Sequence, residues 1–183
     1  MIVEANWGNF RAKFNAQEQK AFEWLCSLLF YKEQRHPTGA LRYFNQPGIE
    51  AEPVIVGADV IGWQAKFIGT DLASYKTKLI QAINTAKTQH PTLTQLYFYV
   101  NVDFGRSKKP GVKDPPYKTA IEEHAKAKGV AITWKTASFF ETPFVCETNA
   151  NIASHFFMLG ASVIDFVQEI TRHTEAILEP IRS

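Results

Sequence analysis

Cysteine is scarce: Cys26 and Cys146 are the only two in 183 residues. They fit no CxxC redox pattern and no metal-ligand spacing, so they read as two reduced thiols of a cytoplasmic protein. Long apolar runs are missing too, and none approaches the roughly 20 residues of a membrane span. Residues 1–8 lack the basic start and apolar core of a signal peptide. An excess of charge of either sign is nearly absent, the formal net being +2. That balance does not mark a nucleic-acid binder, although a local basic strip would be enough for one. His36, His90, His124, His155 and His173 form no HxxxH or HNH-type spacing, and no GxxxxGK[ST] phosphate loop occurs. Repeats, low-complexity tracts and a clear internal boundary are also lacking. The expectation is one domain over residues 1–183. Its periodic helical stretch runs on towards Leu178-Glu179-Pro180, which suits the N-terminal part of a longer protein.

What is present is an ordinary globular composition, 45% hydrophobic and 21% charged, with 14 Phe and 4 Trp to fill an interior. Asn15-Ala16-Gln17-Glu18 has the form of a capping box opening a helix over 15–30, with Phe22, Leu25, Cys26 and Leu29 on its apolar face. His36-Pro37-Thr38-Gly39 reads as loop and 40–44 as a short strand. Two β-rich runs, 52–56 and 60–68, flank Gly57-Ala58-Asp59 as a hairpin. A helix is expected over 72–89 and a strand over 96–102, apolar enough to be covered on both faces. A basic, proline-broken loop follows, then a helix over 117–128 with Gly129 as its C-cap, a strand over 130–136, and a mostly helical remainder. The order α-β-β-β-α-β-α-β-α predicts an α/β fold, a mixed central sheet with helices on its faces.

The hairpin carries unusual polarity. Glu50 and Glu52 share one face of their strand, and Gln64 and Lys66 share one face of theirs. A three-residue loop, with Gly57 at positive φ, would pair Val56 with Val60, set Glu52 opposite Gln64 and set Glu50 opposite Lys66. All four polar heads would then cluster. Two carboxylates, an amide oxygen and an ammonium suit a hard divalent cation such as Mg²⁺ or Mn²⁺ beside an anionic substrate. The plainer alternative is a Glu50–Lys66 salt bridge on a half-exposed hairpin.

A glutamate-bearing helix (Phe22-Glu23-Trp24-Leu25), then Gly48-Ile49-Glu50, a turn, and Gln64-Ala65-Lys66 resembles the PD-(D/E)XK nuclease superfamily. The nearest flavour is that of type IV restriction endonucleases, in which glutamine often holds the second acidic position. The resemblance covers residues 15–103. It implies a restriction endonuclease-like αβββαβ core and a divalent-metal-dependent DNA endonuclease. Glu50 would then be the acidic ligand, Gln64 a neutral oxygen ligand, Lys66 the catalytic lysine and Glu23 an auxiliary acid. The first acid of the pattern is usually Asp and is Glu50 here, and Glu52 has no fixed counterpart, so either glutamate can be the metal ligand. Double-stranded DNA is the implied partner. Arg106, Lys108, Lys109 and Lys113 are its candidate contacts, with Arg35, Arg42, Lys76 and Lys78 nearer the motif. Some relatives of this kind are effector domains of antiviral, antiphage NTPases, in which self-association pairs two active sites and C-terminal domains sense the trigger. The competing expectation is a nuclease fold that has lost activity and serves nucleic-acid binding or assembly.

Overall fold

The structure is a computed structural model that describes residues 2–36, 49–107, 111–160 and 171. The chain divides into two compact units, residues 1–40 with 139–183, and residues 41–138.

The second unit holds the sheet. Its elements are β1 (Val54–Val56), β2 (Asp59–Lys66), a 3₁₀ turn (Leu72–Tyr75), α3 (Lys76–Gln89), β3 (Gln95–Val100), α4 (Pro116–Ala127) and β4 (Ala131–Lys135). Among the described residues, four strands lie in the order β1-β2-β3-β4. The β1–β2 pair is antiparallel and the β2–β3 and β3–β4 pairs are parallel. A mixed sheet flanked by helices is therefore present, as the alternation of elements predicts. The expected strand at 40–44 lies outside the described residues.

Each parallel connection runs through a helix, and both helices bury their apolar stripes on one sheet face. Leu79, Ile83 and Ala86 of α3 and Ile121 and Ala125 of α4 join Leu96, Phe98 and Val100 in one core. Burying each large side chain there contributes about 1.5–3 kcal/mol. The opposite face of the central strands carries Trp63, Ala65 and Tyr99, all fully buried. Gly129 ends α4 at φ 71°, with its N–H bonded to the Lys126 carbonyl at 3.0 Å, as its sequence position predicts.

The first unit is helical: α1 (Trp7–Lys13), α2 (Glu18–Glu33), a π-turn (Phe144–Thr148) and α6 (Ala150–Phe157), with α5 (Ala137–Phe140) at the division between units. The expected capping box does not form. Asn6 caps a helix that periodicity missed, accepting from the Asn9 N–H, and the chain then turns through Ala16 at φ 62°. So α2 starts only at Glu18, capped by Gln17 without a side-chain bond. Among the described residues, no helix is long and apolar enough to cross a membrane.

Candidate functional site

The hairpin register differs from the expected one. Val54 pairs with Ile61 and Val56 with Asp59, so the turn has two residues, Gly57 and Ala58, with Gly57 at φ 61°. Such a tight turn matches the strand twist with glycine in its first position. Read straight back, this ladder would put Glu52 beside Trp63. It is Glu50 instead whose N–H donates to the Trp63 carbonyl, at 3.0 Å. Pro53 has no N–H to continue the ladder, and the chain slips by two residues around it. The expected oppositions of Glu52 to Gln64 and Glu50 to Lys66 are thus both corrected.

The slip decides which glutamate goes inside. Ile49, Glu50 and Ala51 are buried, whereas Glu52 is exposed. Ile49 rests over Gly62, where an added Cβ would come within 2.9 Å of Ile49 Cγ2 and 3.1 Å of Leu93 Cδ1. The absent side chain at Gly62 lets the segment bearing Glu50 lie close against β2.

Gln64 and Lys66 stand beside Phe98 and Val100 on the helix-covered face, because paired residues of parallel strands point the same way. Gln64 Nε2 donates to Glu50 Oε1 at 2.9 Å. Lys66 Nζ lies 3.8 Å from the same oxygen, its side chain 27% exposed against 7% for that of Glu50. Three of the four residues expected to cluster do so, by a different register. The opposite amide orientation would set two acceptors face to face, so the bond to Glu50 leaves Gln64 Oε1 as the remaining end. That oxygen is buried and has no hydrogen-bond partner. An unsatisfied buried acceptor costs about 1–3 kcal/mol.

A residue the motif did not single out completes the local scaffold. Asn101, buried directly after β3, accepts from the Ile68 N–H at 2.5 Å and donates to the Ile68 carbonyl at 3.2 Å. Its amide imitates one more rung of the ladder and fixes the chain two residues beyond Lys66. The only trace in sequence is a polar residue inside the apolar run 96–102.

The other expected residues lie on other elements. Glu23 lies on α2 in the helical unit, half-buried, accepting from Gln19 Nε2 at 2.7 Å. Arg106 and Lys113 are exposed on the loop after β3, drawn together by a Ser107 N–H to Lys113 carbonyl bond of 3.4 Å. That loop leaves the sheet from the edge where β2 ends at Lys66. Lys108 and Lys109, like Arg42 and Gly48, lie outside the described residues. Among the described residues, no three His, Cys, Asp or Glu side chains gather as metal ligands. A cation here would draw on one carboxylate, the spare amide oxygen of Gln64 and water. Oxygen donors of this kind fit Mg²⁺ or Mn²⁺, which commonly take only one or two carboxylates.

No family model matches the chain, and no curated protein matches it.

Proposed function

We propose that the chain is a divalent-metal-dependent endonuclease domain that hydrolyses phosphodiester bonds of double-stranded DNA, on a restriction endonuclease-like core. The observation that carries this reading is the meeting of Gln64 and Lys66 at Glu50 Oε1, with the other end of the Gln64 amide buried and lacking a hydrogen-bond partner. Glu50 and Gln64 would hold Mg²⁺ or Mn²⁺, which when bound polarises a phosphoryl oxygen and acidifies a water. Lys66 offers an ammonium that can turn from Glu50 towards charge growing on the phosphate. Exposed Arg106 and Lys113 supply phosphate contacts. Glu52 is the alternative ligand of this reading. The wider setting follows the same resemblance: an effector domain of an antiphage defence protein, self-associating to cut both strands.

A second reading has its own support. Glu50 Oε1 already accepts from the Gln64 amide and pairs with the Lys66 ammonium 3.8 Å away, so the trio also works as an internal clamp in an inactive, nucleic-acid-binding or assembly module. Plasmid DNA with Mg²⁺ or Mn²⁺ separates the two. Wild-type protein should nick or linearise it, and Lys66→Ala should lower the rate at least about 100-fold. Binding without cutting, even by artificially dimerised wild type, selects the inactive module.

A further inference from the structure

The loop that carries Arg106 and Lys113 is held at both of its stems, and all the holding residues belong to the sheet unit. Asp103 stands at the first stem, three residues past Val100, the end of β3. Its Oδ1 accepts from the Thr136 hydroxyl at 2.5 Å and from the Ser138 N–H at 3.0 Å. Its Oδ2 accepts from the Ser138 hydroxyl at 2.8 Å. Thr136 and Ser138 come directly after Lys135, the end of β4. Because β3 and β4 are parallel neighbours, both chains leave the sheet at one edge, and a single carboxylate ties them together there. Partial burial works against the charged form of Asp103, but the three bonds outweigh it and hold the carboxyl below the usual carboxylate range.

Further contacts link this stem to the other. The Phe104 ring meets Trp134 edge-on at 4.9 Å, and Trp134 Nε1 donates to Glu122 at 2.9 Å. At the second stem, Lys118 Nζ lies 2.8 Å from Asp114 and 3.4 Å from Glu122. Asp103 itself is exposed, so its three bonds do not serve to fill a core. They fix the point from which the chain sets out towards Arg106. A mobile cationic loop loses conformational freedom when phosphates order it, and a loop held beforehand is spared much of that loss. We propose that Asp103 is a positioning residue for duplex DNA, latching the loop to the end of β4 so that Arg106 and Lys113 stand in place before the duplex arrives. The proposal rests on the double-stranded DNA part of the reading above and adds a residue that sets its affinity. Asp103 has the wrong sign of charge to touch a phosphate, so it acts through the loop.

The test is fluorescence anisotropy of a labelled, hydrolysis-resistant phosphorothioate duplex with Mg²⁺ present. Asp103→Ala should weaken binding about tenfold, since the loop must then be ordered on the duplex. Asp103→Asn still accepts from Thr136 and the Ser138 N–H, and its amide donates to the Ser138 hydroxyl, so it should bind at least as tightly as wild type. Thr136→Val with Ser138→Ala removes both hydroxyls and keeps the carboxylate. That variant should also bind more weakly, and it stands in for Asp103→Ala should the latter fail to fold. In an Arg106→Ala, Lys113→Ala background the loss from Asp103→Ala should vanish. Wild-type affinity in both latch variants overturns the proposal, as does an undiminished loss in that background or an Asp103→Asn protein as weak as Asp103→Ala. A wild type that binds no duplex overturns it as well. Plasmid cutting by a protein whose affinity ignores the latch keeps the endonuclease reading and ends this proposal. Latch-dependent affinity in a protein that never cuts plasmid upholds the proposal and defeats the endonuclease reading.

Discussion

The helical unit and the sheet unit each bury an ionisable side chain, by opposite means. His155 is 3% exposed, with the rings of Phe14, Trp24 and Phe156 at 6.3, 5.4 and 4.9 Å. Burial, followed by the nearby Lys13 charge, pushes its pKa down to about 4, so the imidazole is neutral near pH 7. Lys13 donates to the His155 main-chain carbonyl, which ties it to the end of α6. Glu50, at 6% exposure, meets an amide and an ammonium instead. Aromatic burial turns an ionisable group into packing. Burial among polar partners keeps a carboxylate oxygen in place beside an amide acceptor that has no hydrogen-bond partner. On that contrast the sheet unit is where chemistry is expected.

The contrast can be broken at several points. Phe156→Ala removes a fully buried ring of the aromatic group and should cost about 3–5 kcal/mol in chemical denaturation. Acid should act through His155. Its folded pKa lies below the ordinary value of 6.5, so the unfolded chain binds more protons between the two. Stability is thus full above about pH 6.5 and falls towards pH 4, by up to about 1.4 kcal/mol per unit. Urea midpoints at pH 7 and 4.5 measure the slope, and His155→Leu should flatten it. An unchanged slope would remove His155 from the comparison. Gly62→Ala pushes Ile49 off β2 and should cost about 1–3 kcal/mol while shifting Glu50. Two-dimensional NMR would see the disturbance centred on residues 49–51. Glu52→Ala, at an exposed position, should change stability by no more than about 0.5 kcal/mol, and a larger loss in the same urea titration would put Glu52 back inside.

Much of the sheet unit was legible because its elements have strong periods. The run expected at 96–102 supplies a central strand, Gln95–Val100, and α3 and α4 show their stripes. The hairpin site was legible in membership and illegible in register. Glycine at 57 announces a turn without counting its residues, and a single residue of slip reverses every side chain. Pro53 was the neglected signal, since its missing N–H ends the ladder and permits the shift that takes Glu50 inward. α1 went unseen because seven residues hold too few turns for a period, and its cap at Asn6 is one polar residue among many. Asn101 shows no motif because its role is a contact across 33 residues.

The clamp between Asn101 and Ile68 has a consequence for how this molecule can vary. It isolates Lys66 from whatever follows, since the strand is buttoned down before the exposed Gly69 and Thr70 are reached. Extra residues inserted between those two would lengthen the approach to α3 and leave the ammonium where it stands.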